Sequence, residues 1–152
     1  MVNYCKASLL DLLAIEQLEK DCFPTEAFNR RLIKNLLINT KSFIIKATEP
    51  TGEIIGNIIG TTKKENSSSV GRIVSLCVFK RYRKSGIASQ LVKILEEEFY
   101  LRDIKKIRLE VSALNNVAQA FYERLEYHMT PDILPHFYHD GTDACVMTKR
   151  LP

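Results

Sequence analysis

The most informative stretch of this chain runs Val78-Phe79-Lys80-Arg81-Tyr82-Arg83-Lys84-Ser85-Gly86-Ile87-Ala88. An apolar strand ends here, a basic loop follows, and an amphipathic helix begins at a glycine. Free backbone N–H groups and the helix dipole make the start of such a helix an anion site, and Gly86 allows close approach to the backbone. The spacing is neither a P-loop nor a GxGxxG dinucleotide motif. The alternative is a solvated basic loop with a glycine at a tight turn.

The net charge of +4 is concentrated in this same loop. Lys80, Arg81, Arg83 and Lys84 lie in one short window, and without them acidic and basic residues are equal in number. A protein that binds nucleic acid usually spreads basic residues over a wide surface and interleaves them with aromatic residues. One compact basic spot instead favours a compact anion, such as the phosphates of a cofactor. We therefore expect no nucleic-acid partner.

Length and composition indicate one globular domain that spans residues 1–152. Hydrophobic residues make up 45% and charged residues 26%, which excludes disordered and fibrous classes. The four cysteines form no CxxC pair, so we expect reduced thiols and no metal. No apolar run approaches the ~18 residues of a membrane span, and the first residues lack a signal-peptide core. We therefore expect no membrane partner and a cytoplasmic location.

Hydrophobic periodicity predicts two helices followed by three strands. Ser8 caps a first helix at about 8–20, with Asp11 as the far side of a capping box, and Asn29 caps a second helix. The apolar third strand is expected to be buried on both faces, and a polar loop at 63–69 precedes it. The three predicted strands are Ser42–Thr48, Glu53–Thr62 and Gly71–Phe79.

The second half alternates helices and strands. Pro131 and Pro135 predict an irregular segment, and Asp140-Gly141 predicts the turn of a hairpin that leads into the last strand. The whole order, ααβββαβαββ, predicts an α/β fold with a mixed, mainly antiparallel sheet flanked by helices. Within it, residues 71–111 form a strand–helix–strand unit with parallel strands. The predicted elements are a helix at 86–101, a strand at 107–111, a helix at 116–125 and a strand at Ala144–Lys149.

These residues resemble the GNAT N-acetyltransferase family over nearly the whole chain. The loop Arg83-Lys84-Ser85-Gly86-Ile87-Ala88 is similar to the family's acetyl-CoA loop, Arg/Gln-x-x-Gly-x-Gly/Ala. Leu109-Glu110-Val111, with Asn115, Ala118 and Tyr122, resembles its Leu-Glu-Val…Asn-x-x-Ala-x-x-x-Tyr pattern. The chain departs from the family at three positions where proline, glycine and glycine are usual: Lys80, Lys84 and Glu126.

Two further segments resemble parts of the family that lie near the acceptor. Phe23-Pro24-Thr25-Glu26-Ala27-Phe28 resembles its first-helix loop. The ending Phe137-Tyr138-His139-Asp140-Gly141-Thr142-Asp143-Ala144 is similar to that of the branch that acetylates protein N termini, including the ribosomal-protein alanine N-acetyltransferases. The resemblance therefore implies an acceptor site beside Phe23 and Tyr138.

The resemblance implies direct transfer of an acetyl group from acetyl-CoA to an amine, with no acyl-enzyme. Glu110 would take the amine's proton, directly or through water, and Tyr122 would protonate the leaving thiolate. The N–H of Val78 would polarise the thioester carbonyl. The cofactor-binding residues that the resemblance implies are Leu76, Cys77, Val78, Arg83, Lys84, Ser85, Gly86, Ile87, Ala88, Ser89, Asn115 and Tyr122.

Each of these roles has a structural alternative. Glu110 faces away from the apolar side of its strand and could simply be solvated. Tyr122 could be an ordinary core residue, Asn115 is a plausible helix cap in either case, and Tyr138 could pack before the last turn. Cys77 could be mistaken for a nucleophile, but its apolar strand favours packing.

The three histidines are close in sequence, at 128, 136 and 139, but their spacing fits no compact metal motif. His136 is an alternative base near the acceptor. We expect a protein or peptide α-amino group as the acceptor, which the segment 137–144 favours. The alternatives are a small-molecule amine, such as a polyamine, antibiotic or metabolite, and a catalytically idle module that binds acyl-CoA.

Overall fold

A computed structural model describes residues 1–152 and contains seven strands, four α-helices and two short 3₁₀ turns. The 3₁₀ turns are Leu9–Asp11 and Lys80–Tyr82. The helices are α1 (Leu12–Cys22), α2 (Arg30–Ile38), α3 (Ile87–Leu101) and α4 (Asn116–Arg124). The strands are β1 (Asn3–Lys6), β2 (Ser42–Thr48), β3 (Ile54–Glu65), β4 (Ser68–Val78), β5 (Lys106–Ser112), β6 (His128–Leu134) and β7 (Ala144–Arg150).

All seven strands lie in one mixed sheet in the order β1-β2-β3-β4-β5-β7-β6. Only β4 and β5 pair in parallel, and the helix α3 connects them; every other neighbouring pair is antiparallel. The predicted α/β class and the parallel strand–helix–strand unit are therefore confirmed. No helix is both long enough and apolar enough to cross a membrane.

A hydrophobic core lies on each face of the sheet. On one face α3 packs through Leu91, Leu95 and Phe99 against strand residues such as Ile58 and Ile107. On the other face α1 and α2 supply Ile15, Leu18 and Ile33, which pack against Ile44, Ile59 and Cys77. Burial of both faces explains why the central strand β4 reads as almost continuously apolar.

The strand β1 was not predicted, so the order is βααβββαβαββ rather than ααβββαβαββ. Its four residues pair with β2 at the edge of the sheet, and their side chains are largely exposed. The predicted loop at 63–69 is also wrong, because β3 and β4 continue as a hairpin to a turn at Asn66 and Ser67. There the polar side chains face water while the backbone stays paired, so side-chain polarity gives no sign of the strands.

The segment around Pro131 is a strand, β6, and not the predicted irregular segment. It pairs with β7 at the edge of the sheet, and its register shifts between Met129 and Ile133. Proline is tolerated at such a bulge because its missing N–H costs no ladder hydrogen bond. Thr130 secures the bulge by donating from its hydroxyl to the carbonyl of Val146 at 3.0 Å.

The helix caps and the departures from the family pattern have simple backbone reasons. Ser8 and Asp11 form the predicted capping box at the start of the 3₁₀ turn, and the Asn29 side chain accepts from Leu32 N–H at the start of α2. Lys84 and Glu126 have φ angles of 62° and 73°. These angles lie in the left-handed region that glycine adopts without strain, which accounts for the glycine usual in the family at both positions.

Candidate active site

The site is built where β4 and β5 separate. The two strands pair only along Val70–Ile73 and Lys106–Leu109. Beyond this point β4 continues beside β3 and β5 continues beside β7, so the strands diverge like a fork. Val74 has no partner on β3, because Ile59 pairs with Ser75 and Gly60 with Ile73. The bulge therefore lies where the fork opens.

A cavity of about 690 Å³ opens at this fork. Its walls come from α1, α2, β4, β5, α4 and the β6–β7 connection, so residues distant in sequence meet there. Six residues singled out in the sequence line it: Phe23, Leu76, Glu110, Asn115, Tyr122 and Tyr138. The loop 83–89 does not line the cavity and lies beyond the end of β4.

The backbone of β4 turns unpaired groups toward the fork. Phe79 N–H donates to the carbonyl of Ile55 on β3 at 3.0 Å. Because hydrogen bonding alternates along an antiparallel pair, Cys77 bonds to Asn57 on β3, while the N–H groups of Leu76 and Val78 point away from β3. The backbone polar groups of Cys77 are therefore used within the sheet, and both groups of Leu76 and the N–H of Val78 are left unpaired at the fork. The Val78 carbonyl accepts from Arg83 Nε at 3.0 Å.

The Cys77 side chain lies on the opposite face of the strand from Leu76. Its thiol is 1% exposed and donates to Glu19 Oε2 at 2.6 Å. Burial raises the pKa of this thiol well above its usual value, which suits a packed side chain and not a nucleophile.

The basic loop ends in an open helix start. Gly86, with φ of 84°, precedes α3, and no side chain caps that end. A Cβ on Gly86 would meet no atom within 4 Å, so the space beside it is free. Ile87 is buried in the core and anchors the first turn. The first N–H groups of α3 and their dipole are thus available to an anion.

Asn115 and Tyr122 lie about two turns apart on α4, which forms one wall of the cavity. Asn115 Oδ1 accepts from Ala118 N–H at 3.0 Å and caps the helix, which leaves its amide group free. The Tyr122 ring packs edge-on against Phe121 and Tyr127. Burial raises the pKa of Tyr122, and the nearby Cys77 and Tyr138 raise it further, so the phenol keeps its proton at neutral pH.

Glu110 is not solvated, so that alternative is wrong. Its side chain is 6% exposed, and two arginines hold it. Arg72 contacts Oε1 through Nε and Nη2, and Arg108 Nε donates to Oε2 at 3.0 Å. The carboxylate is therefore fixed at the cavity wall with both oxygens in contact with cations.

Two loops form the outer end of the cavity and touch each other. His139 of the β6–β7 connection donates its backbone N–H to Glu26 Oε2 at 3.0 Å, and its ring Nδ1 lies 3.0 Å from the carbonyl of Thr25. Phe23 and Tyr138 line the cavity just inside this contact. Burial raises the pKa of Tyr138 to about 12, with smaller contributions from the charges of Glu110 and Glu26.

His136 is not among the residues that line the cavity. Its ring Nδ1 lies 3.2 Å from the carbonyl of Gly141 and its backbone N–H donates to Asp143, so it holds the β6–β7 connection together. Among the lining side chains to which sequence analysis gave no role are the charged groups of Glu19, Glu26 and Arg72. Sequence analysis also missed Arg108, although Arg108 and Glu110 alternate on one face of a strand and could have been paired from sequence.

The model of the Acetyltransferase (GNAT) family matches residues 11–127. The chain therefore belongs to the GNAT acetyltransferase family and is an acetyltransferase. The fork between β4 and β5 and the open start of α3 agree with this match.

Individual relatives agree with this assignment. An uncharacterized N-acetyltransferase of Methanocaldococcus jannaschii is 33% identical over 97% of this chain and 90% of its own length. The catalytic subunit NAA10 of the N-terminal acetyltransferase A complex of Arabidopsis thaliana is 27% identical over 99% of this chain and 79% of its own length. The crystal structure of the ribosomal-protein-S18-alanine N-acetyltransferase of Escherichia coli shares the fold. Its TM-score is 0.84 at 21% identity, over 99% of this chain and 94% of that one.

Proposed function

We propose that this protein transfers the acetyl group of acetyl-CoA to the α-amino group of a protein or peptide N terminus. The observation that carries the proposal is the continuity of the cavity through the fork. The same space is lined by Asn115 and Tyr122 on the helical wall and by Phe23 and Tyr138 at the outer end. A coenzyme arm and an acceptor chain can therefore meet beside one phenol. The likeness to a catalytic subunit of an N-terminal acetyltransferase supports a peptide as the acceptor.

The chain's own residues fit a coenzyme that carries phosphates. The uncapped start of α3 and the open space beside Gly86 suit a pyrophosphate, and Arg83 and Lys84 add positive charge nearby. The free backbone N–H and C=O of Leu76 and the N–H of Val78 offer an amide-bearing arm a strand edge to pair with. The Val78 carbonyl is already used, because it accepts from Arg83 Nε at 3.0 Å. Acetyl-CoA, the cosubstrate, supplies an acetyl group activated as a thioester.

The residues at the fork have the chemistry that aminolysis requires. Val78 N–H is directed at the fork, where a fixed donor stabilises charge that develops on a carbonyl oxygen. Tyr122 holds a proton that it can give to a leaving sulfur as the C–S bond breaks and the C–N bond forms. The thiol of Cys77 is buried on the other face of β4 and already bonded, so the acetyl group passes directly to the amine.

The acceptor end of the cavity suits a cationic amine. Arg72 is the only basic side chain that lines the cavity, whereas four carboxyl groups do so: Glu19, Glu26, Glu110 and Asp140. Phe23, Phe28 and Tyr138 give the same end apolar walls. The N terminus of a peptide combines an ammonium group with apolar and peptide groups. It therefore matches both the carboxyl groups and the apolar walls of the cavity.

A competition assay tests the proposal and separates it from transfer to a small amine. Purified protein and acetyl-CoA are incubated with unblocked peptides, with the same peptides blocked at the N terminus but containing lysine, and with polyamines. We expect acetylation only of the unblocked peptides, with the added mass on the α-nitrogen in tandem mass spectra. Equal or faster acetylation of polyamines would replace the peptide by a small amine as the acceptor. Coenzyme binding without transfer to any amine would instead indicate an idle acyl-CoA-binding module.

A further inference from the structure

Glu19 is a buried carboxyl group that has no cationic partner. It is 1% exposed and still lines the cavity at the fork. It takes part in none of the chain's ion pairs. Its partners on β4 are neutral: Ser75 Oγ donates to Oε2 at 2.8 Å, and the Cys77 thiol donates to the same oxygen.

A carboxyl group buried in this way is unusual, because buried charges are normally paired. Burial raises its pKa, although the hydrogen bonds from Cys77 and Ser75 act in the opposite direction. The other buried acid on α1, Glu16, has the ordinary arrangement: Arg30 Nη2 lies 2.9 Å from its Oε1 and lowers its pKa. The difference is that Glu19 faces the cavity, where a cation can arrive from outside.

Glu110 is less suited to meet that cation. Both its oxygens already contact arginines, so an ammonium would have to compete with Arg72 and Arg108. Glu19 lies next to Ser75 and Cys77, the two residues that flank Leu76 where β4 leaves β5. Glu19 and Tyr122 line the same cavity. The uncompensated carboxyl group is therefore near the place where the acetyl group is transferred.

We propose that Glu19, and not Glu110, receives the acceptor's ammonium group and accepts its proton before attack. This inference rests on the proposed acetylation of an amine and adds a catalytic residue to it. One proton moves from nitrogen to a Glu19 oxygen, and the freed lone pair forms the C–N bond as the C–S bond breaks. Tyr122 protonates the leaving sulfur, and its phenolate then takes the second proton from nitrogen. Glu110 and its two arginines shape the wall beside this step.

The pH profile of kcat/KM distinguishes this role from a structural one. When Glu19 is ionised it binds the ammonium form of the acceptor and removes its proton. The activity therefore falls only when Glu19 is protonated, and this fall at low pH, the acidic limb of the profile, lies below the acceptor's own pKa of about 8. In Glu19→Gln only acceptor that is already neutral can react. We therefore expect a loss of about a hundredfold in kcat/KM at neutral pH and a limb that moves up to the acceptor's pKa. Glu19→Asp should keep the limb low while losing rate, and it serves if the Gln variant does not fold.

Two matched variants exclude the other titratable groups around Glu19. Glu16→Gln removes the neighbouring ion-paired acid of α1 and should leave rate and limb unchanged. Cys22 is the second titratable group that faces Glu19 besides Cys77. Its thiol has a pKa lowered to about 7, first by Cys77 and then by Arg83, whose Nη2 is 4.0 Å away. This thiol could therefore produce a limb of its own. If Glu19 sets the acidic limb, Cys22→Ser leaves that limb in place.

A limb that stays where it is in Glu19→Gln, or that moves in Cys22→Ser instead, would overturn the role of Glu19. Both results leave the acetylation itself intact, since the wild-type rate is measured in the same assay. A wild-type protein that binds coenzyme by calorimetry but acetylates no peptide would overturn the proposed function, and this inference with it.

Discussion

Tyr122 is the side chain on which the proposed transfer depends most. Its ring is held by aromatic neighbours on α4 and at Tyr127, and its phenol faces the fork. Burial raises the pKa of the phenol and so keeps its proton in place at neutral pH, where the leaving sulfur of the proposed transfer can take it. The burial that packs the ring also preserves the proton that the proposed acid role needs, so packing in the core and that role are compatible.

Replacement of Tyr122 by phenylalanine tests this point. Tyr122→Phe keeps the ring and its packing but removes the proton, so we expect kcat to fall about a hundredfold while coenzyme affinity changes less than threefold. Tyr127→Phe is the matched control. It removes another buried hydroxyl, one that donates to Glu96 at 2.8 Å, and should lower the melting temperature without lowering kcat. Full activity in Tyr122→Phe would show that the leaving group needs no proton from the protein.

The unpaired burial of Glu19 has a consequence for stability. Its raised pKa means that the folded state favours the protonated acid, so Glu19 stabilises the fold at low pH and loses that contribution as pH rises through the raised value. Glu19→Gln removes the buried charge, and its amide can donate to Oδ1 of the neighbouring Asn57, which has no partner. We expect its melting temperature to exceed that of wild type by about 3 °C at about pH 8 and to lose this advantage at about pH 4. A lower melting temperature at both pH values would contradict this reading of Glu19.

Among the elements, α3 is the helix whose first turn we propose to hold the pyrophosphate of the coenzyme. Gly86 and Gly52 have φ angles of 84° and 92°, and a Cβ on either would meet no neighbouring atom. Alanine at either position should therefore cost the same backbone strain, about 1 kcal/mol. Only at Gly86 does the added methyl group point into the space proposed for the pyrophosphate.

We expect Gly86→Ala to weaken coenzyme binding about tenfold or more, measured by calorimetry. Gly52→Ala should lower the melting temperature to a similar degree and leave binding unchanged. Equal coenzyme affinity in both variants would place the pyrophosphate elsewhere.

The end of α4 has glutamate, Glu126, at a position where the family usually has glycine, and the helix still ends in a hydrogen-bonded turn. Glu126 has φ of 73°, and Tyr127 N–H donates to Tyr122 O at 3.0 Å across the turn. Glycine favours this left-handed position after a helix, so Glu126 is a strained choice there.

Glu126→Gly should therefore stabilise the protein by about 1 kcal/mol, which corresponds to about 2–4 °C in melting temperature. The same substitution at Glu123, exposed within the helix, should lower the melting temperature by a similar amount. Thermal unfolding of both variants checks the contrast, and a decrease at both positions would mean that the turn gains nothing from glycine.

Over the whole molecule, features that depend on a few neighbouring residues could be predicted from the sequence. Contacts that depend on how distant strands pair could not. The caps at Ser8 and Asn29 and the open helix start at Gly86 each depend on one turn of chain. The ion pair between Arg72 and Glu110 depends on the parallel register of β4 and β5, which brings together residues 38 positions apart in the sequence. The hidden strand β6 likewise depends on β7, which supplies hydrogen bonds that the prolines do not suggest.

The central claim is that the edge of β4 and the start of α3 together hold the coenzyme. A titration of the amide-labelled protein with coenzyme A, followed by two-dimensional NMR, tests it most directly. We expect saturable shifts at Leu76 and Val78 and at Gly86–Ser89, with smaller shifts at Asn57, whose strand lies on the other side of β4. Saturable shifts confined to another surface, such as the smaller cavity beside Lys6 and Arg102, or no shifts at all, would contradict the account.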